Sequence, residues 1–354
     1  MDIPLSRSTP RSRTLRLALA AVLVATTVTA CGGRGSGADG DVQTIRFGSV
    51  GGLTDAGLYL AEARGYFADA GLRVERQRMG GGSEITTAVA TGNLDVAGFA
   101  VTAGLFNAAA QGLDAKVVGD KQSVSTAASA TRLVAQKPLV GGDVAASLNN
   151  LRGKRIAVSD PRSATIVLLD GLLKKYGMTR DDVRVETLAY PEMTAALING
   201  SLDAAIELEP FLTTALNSGR VAEVSDLSEV VPADGATLVP LVYSQRFIDE
   251  QPEAAQGFMT AYLRGVRDYN DAFLKDQSKQ EVAEIIAEAA QQPLEVVLAA
   301  HVAGLDPDQV VSRQFLEDTQ QWFVESGLVN EPVDISTLLD DRFAKEAVNE
   351  LGSY

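Results

Sequence analysis

A ten-residue pattern written twice limits what this chain can fold into. Ala88-Val-Ala-Thr-Gly-Asn-Leu-Asp-Val-Ala97 returns as Ala196-Leu-Ile-Asn-Gly-Ser-Leu-Asp-Ala-Ala205, 108 residues later. Each copy reads as a helix end, a glycine stop and a short apolar strand entered through Leu-Asp. The elements upstream match as well: the strands Ile45 to Ser49 and Arg155 to Ser159 lead into helical stretches over 57–70 and 164–176. The chain therefore reads as two similar α/β halves, with any ligand held between them. Leu94 and Leu202 are expected to pack, and Asp95 and Asp203 to hold the turn.

A length of 354 residues fits two domains, and 46% hydrophobic residues is enough to fill two cores. The net charge is −15, and the first thirty residues carry +3, which leaves −18 on the rest. A surface that acidic repels phosphate backbones, so nucleic acid is excluded as a partner. At the N-terminus, arginines up to Arg16 precede an uncharged run from Leu17 to Ala30 and then Cys31, the single cysteine. The run is shorter than the roughly 20 residues of a membrane span and has the form of a secretory signal. Val28-Thr-Ala-Cys31 resembles the lipobox of bacterial lipoproteins, which implies a signal peptide over 1–30 and a palmitate-bearing lipid on Cys31. Residues 31–42, rich in glycine, read as a flexible tether. The expectation is an exported monomer anchored by lipid to the outer face of a bacterial cytoplasmic membrane.

In chain order, strands are expected at 44–50, 73–79 and 96–100, with helices at 57–70, 84–91 and 105–112 between and after them. Strands at 116–119 and 131–135 leave this half for the next. There the order repeats, with strands at 155–159, 181–188 and 204–208 and helices at 164–176 and 190–199. Strands alternating with helices of this length argue for parallel sheets covered on both faces. An extended apolar stretch over 231–243 suits a return crossing. Helices over 252–273, 279–290, 293–300, 312–326 and part of 335–351 read as amphipathic cover. The resulting division gives lobe 1 residues 43–133 and 235–354, and lobe 2 residues 134–234.

In open α/β sheets, ligands lie beyond the carboxyl ends of the strands, where helix N-termini point. Those ends place Ser49, Thr54, Asp55, Ser83, Val101, Thr102, Asp160, Arg162, Ser163, Thr165, Tyr190 and Glu209 as candidate ligand-binding residues. Helix-start N–H groups with the hydroxyls of Ser83, Ser163 and Thr165 suit an anion, and Arg162 offers a bidentate contact. Thr54, Ser83 and Ser163 are equally well placed to be plain N-caps, Thr54 or Asp55 capping the first helix and Asp160 its own. Glu209 before Pro210 also reads as a surface charge. The acids Asp55, Asp160 and Glu209 disfavour a sulfonate unless they point away; otherwise the ligand carries N–H donors, as an aminopyrimidine does, with Tyr190 stacking on its ring. Phe99 reads as core.

Four stretches carry a resemblance: Gly65 to Val74, Gly92 to Ala97, Leu151 to Val158 and Asp203 to Phe211. In order and over about residues 44–275, they resemble the solute-binding proteins of ABC importers, in the branch that binds nitrate, sulfonate, taurine and thiamine pyrimidines. The resemblance implies the periplasmic-binding-protein type 2 fold, an α/β architecture with two doubly wound sheets joined by two crossing strands and a helical C-terminal region. It also implies a small-molecule ligand, permease subunits as partners and no cofactor. Eukaryotic pyrimidine synthases of thiamine biosynthesis resemble the same family and depend on a histidine and clustered cysteines with iron. In this chain the single histidine, His301, is expected in an alanine-rich helix far from the cleft, and Cys31 belongs to the anchor. That leaves no metal site and no nucleophile–histidine pair. A binder is the expectation, with a pyrimidine synthase-like enzyme or a ligand-sensing surface receptor as alternatives.

Overall fold

The computed structural model describes residues 42–79 and 82–354, without the side chain of Ser83. The expected signal peptide, Cys31 and nearly all of the tether lie outside the described residues.

Ten strands form two five-stranded sheets. The first contains β1 (Gln43–Ser49), β2 (Leu72–Arg78), β3 (Val96–Gly98), β4 (Ala115–Val124) and β10 (Ala236–Ser244), in the order β2-β1-β3-β10-β4. The second contains β5 (Thr131–Gln136), β6 (Arg155–Val158), β7 (Arg184–Thr187), β8 (Ala204–Leu208) and β9 (Val221–Ser225), in the order β7-β6-β8-β5-β9. The two orders are the same winding. In each sheet an incoming strand, β10 or β5, sits between the third strand and the outgoing edge strand.

The sheets are mixed rather than parallel. β1 runs parallel to β2 and β3, but β10 is antiparallel to β3 and β4. Likewise β6 is parallel to β7 and β8, and β5 is antiparallel to β8 and β9. A strand arriving from the other lobe enters from the opposite end, so it opposes its neighbours. The β4-to-β5 and β9-to-β10 connections are the two crossings. The helix Phe211–Asn217 and β9 went unassigned from the sequence, because Glu223 breaks the apolar run that would have marked the strand. The expected 57–70 helix is divided into helices Ala56–Ala63 and Tyr66–Asp69, and a 3-10 turn (Leu53–Asp55) precedes them.

The duplicated turn is the element that fixes register. Gly92 and Gly200 take φ of 67° and 79°, a left-handed conformation that costs glycine little. The chain then folds back, with Leu94 N–H donating to Ala88 O and Leu202 N–H to Ala196 O. Both leucines are buried. Asp95 then accepts from the backbone N–H of Arg46 at 2.8 Å and from its guanidinium at 2.9 and 2.6 Å. Asp203 accepts from the backbone N–H of Arg155 at 2.9 Å and from its Nε at 3.4 Å. Each Asp thus joins the entry of its own strand to the neighbouring parallel strand, at the middle of β1 and at the first residue of β6.

The long helix Pro252–Leu274 buries Phe258 and Tyr262 against the first sheet, where Phe258 stacks on Phe47 of β1 with centroids 6.3 Å apart. The helix Arg313–Glu325 contacts both halves. Its Phe323 packs on Phe106 of the helix Ala103–Ala110 at 6.0 Å, and Trp322 Nε1 donates to Asp170 of the helix Ala164–Lys175 at 3.1 Å.

Asp95 is more buried and better bonded than Asp203, so Asp95→Ala should cost about 2–3 kcal/mol of unfolding free energy and Asp203→Ala about 1–1.5 kcal/mol. Urea denaturation measures both, and losses under about 0.5 kcal/mol would contradict the structural role of the turn.

Candidate functional site

The carboxyl ends of the strands from the two sheets meet directly. Ala164 N–H donates to Val101 O at 2.8 Å and Ala103 N–H to Arg162 O at 2.9 Å, which makes Thr102 and Ser163 an antiparallel bridge. Val101, Thr102 and Ser163 therefore form a seam between the lobes and are buried in it. Nearby, the carbonyl of Glu209 lies against Gly52, 3.9 Å from where a β-carbon there would stand. The seam is invisible to sequence reasoning, since its partners are some sixty residues apart and pair only through backbone atoms.

The side chains at the seam have local roles. Thr102 caps the helix Ala103–Ala110 by accepting from Leu105 N–H. Ser163 occupies the N-cap position of the helix Ala164–Lys175 but donates to Asp160 O, and Thr165 is buried in its first turn. Neither Thr54 nor Asp55 caps the helix Ala56–Ala63 through its side chain.

Each acid that spoke against an anionic ligand has a cationic partner. Asp55, 2% exposed, pairs with Lys121 Nζ at 2.6 Å and accepts from Ser49 Oγ at 2.7 Å. Lys121 is also buried, and donates to the hydroxyl and carbonyl of Thr54 at 3.3 Å. Its aliphatic chain crosses Gly98 so closely that a β-carbon there would lie 2.1 Å from Cδ, so only glycine admits the pair. Asp160 accepts from Arg162 N–H and lies 3.5 Å from its guanidinium, which is otherwise largely in solvent.

Glu209 is a buried group, not a surface charge. Its Oε1 accepts from the N–H of His301 at 2.9 Å and lies 2.9 Å from His301 Nδ1, and its two oxygens also take the N–H and hydroxyl of Thr213. His301 Nε2 sits 2.8 Å from Glu223. The expected position of His301 is therefore corrected: it lies just beyond the helix Leu294–Ala299, in direct contact with a candidate site residue. The hydrogen bond with Glu209, then that with Glu223, pushes the imidazole pKa up to about 9.

On the second lobe, Tyr190 stacks on Phe211 with centroids 5.7 Å apart, and its hydroxyl accepts from Ser159. Close by, Glu207 is fully buried with Thr194 on one oxygen, and burial raises its pKa to about 8. Lys121, Glu207 and His301 were missed from sequence. A charge inside an apolar strand is the only local signal the first two give. Phe99 is core, as expected.

A cavity of about 230 Å³ opens where β1 and β2 end. Among the described candidate residues, Ser49 and Asp55 line it, together with Gly51, Gly52, Arg78 and Gln291.

Two similarly wound α/β lobes, linked by two crossings and meeting at their strand ends, make up the two-lobed fold seen in periplasmic binding proteins. The chain belongs to the NMT1/THI5-like family, whose profile matches residues 54–272. Its fold is shared with the ligand-binding component of an ABC-type import system from Staphylococcus aureus, solved with zinc bound: TM-score 0.69, 18% identity, covering 86% of this chain and 99% of that one. It is shared too with the periplasmic aliphatic sulphonate binding protein SsuA from Escherichia coli: TM-score 0.66, 18% identity, covering 84% and 92%. The 4-amino-5-hydroxymethyl-2-methylpyrimidine phosphate synthase of Aspergillus parasiticus is 25% identical over 226 residues, which are 59% of this chain and 61% of that enzyme. The match thus spans about three fifths of that relative's length. Among the described residues no helix is long and apolar enough to cross a membrane.

His301 has Glu209, Glu223, Arg132 and Asp226 around it. Its raised pKa means that it contributes its full stability below its unfolded value near 6.5 and loses it as pH rises through about 9. His301→Asn should remove about 1.5–3 kcal/mol near pH 7 and flatten the decline between pH 7 and 10. Thermal unfolding across that range checks this, and an unchanged profile would contradict the pairing.

Proposed function

We propose that the protein is the solute-binding component of an ABC importer, exported and held on the outer face of the membrane by a lipid on Cys31. It works as a monomer, with residues 43–133 and 235–354 as one lobe and 134–234 as the other. A small organic solute enters between the lobes, favours their closed arrangement, and the closed form presents both lobes to a permease. The observation that carries this reading is the seam at 101–103 and 162–164, where two equivalent lobes with only two covalent crossings meet at their strand ends.

The neutralised acids favour a sulfonate or carboxylate over an aminopyrimidine. Asp55, Asp160 and Glu209 have Lys121, Arg162 and His301 as partners, so none of them calls for N–H donors from a ligand. The second reading, a pyrimidine-precursor synthase-like enzyme, draws on the 25% identity to the Aspergillus enzyme.

A thermal-shift screen of sulfonates, carboxylates, nitrate and aminopyrimidines tests both. A true ligand at 100 times its dissociation constant should stabilise the fold by about 2.7 kcal/mol and be recovered unchanged by mass spectrometry. Failure of every class would contradict solute binding, and conversion of the bound compound to a new product would favour the enzyme.

A further inference from the structure

We infer that the cavity at the ends of β1 and β2 is a subsite for a small oxyanion, with Arg78 as its charge partner. The solute-binding reading supplies only the source of the anion, the acidic group of a captured solute; the charge argument stands without it.

The wall carries three charged side chains, and two of them are already compensated. Asp55 is held by Lys121 at 2.6 Å and by Ser49 at 2.7 Å. Arg76 lies 3.4 Å from Glu62, donates to the carbonyl of Ala289 at 3.5 Å and stacks over the Tyr59 ring at 5.0 Å. Its contact with Ala289 occupies a carbonyl at the end of the helix Lys279–Ala290 that would otherwise repel an anion. Arg78, the last residue of β2, makes no ion pair with any described residue. Its Nε sits over Gly51, 3.4 Å from where a β-carbon there would stand. The cavity wall is therefore left with one uncompensated positive charge, on a guanidinium whose paired N–H groups match an oxyanion.

Two further features suit the same ligand. From β1 the chain turns through Gly51 and Gly52 into the 3-10 turn that leads the helix Ala56–Ala63, so the positive end of that helix's dipole adjoins the cavity. The volume of about 230 Å³ equals that of roughly seven or eight waters at about 30 Å³ each, which accommodates sulfate or a sulfonate or carboxylate with a short chain.

The test titrates the full chain with inorganic sulfate and with methanesulfonate against chloride at matched ionic strength, by calorimetry. Saturable binding that weakens at least tenfold in Arg78→Gln, weakens less in Arg78→Lys and is unchanged in Arg313→Gln supports the subsite, whether or not any organic solute closes the lobes. Equal affinity of unsubstituted protein and Arg78→Gln, or no saturable binding of either anion, overturns it. An organic solute that binds Arg78→Gln with unchanged affinity also overturns it, and leaves the solute-binding reading standing.

Discussion

The Asp clasp at the head of each sheet sets everything downstream of it. Parallel neighbours have no hairpin to fix their register, and a one-residue slip would turn every side chain to the opposite face. Asp95 and Asp203 remove that freedom by bonding the backbone N–H and the guanidinium of the arginine opposite, Arg46 and Arg155. With register fixed, Ser49 and Gly98 in one lobe and Ser159 and Glu207 in the other reach the strand ends in defined places. The same clasp, used twice, gives two lobes of identical winding whose carboxyl ends face each other.

Beyond the clasps the two lobes diverge in how they balance charge. In the first, a lysine buried in β4 reaches over Gly98 to neutralise Asp55. In the second, a histidine delivered by the C-terminal segment neutralises Glu209. Removing one partner of the fully buried Asp55–Lys121 pair leaves an uncompensated charge at a cost of about 3–5 kcal/mol; His301 is partly exposed and its loss costs less, but both pairs are structural commitments. Their consequence for binding is that the negative charges nearest the seam are satisfied from within the protein. In the proposed oxyanion subsite, Arg78 is then left as the unpaired charge, since Asp55 on the same wall is held by Lys121.

The sequence carried the frame well and the charge pairing poorly. The repeat at 88–97 and 196–205, the crossings, the packing of Leu94 and Leu202 and the long C-terminal helices were legible because each is written in local periodicity and turn chemistry. Mixed strand direction was not, since the reversal of β5 and β10 follows from which lobe a strand enters from. Candidate residues were placed at strand ends, but the contacts their side chains make were not readable. Thr102 and Ser163 belong to a seam made by backbone atoms, and the partners of Asp55 and Glu209 lie 66 and 92 residues further along the chain. His301 was misread for the same reason: an alanine-rich neighbourhood suggests a helix, while its partners come from just after β8 and from β9.

The central claim is that a small solute holds the two lobes in the arrangement joined by the seam. Small-angle scattering on the full chain, with and without a saturating solute taken from the stabilising class, measures this directly. The account predicts that the radius of gyration falls on binding to the value calculated for the seamed structure. An identical radius in both states, with binding confirmed independently, would contradict it.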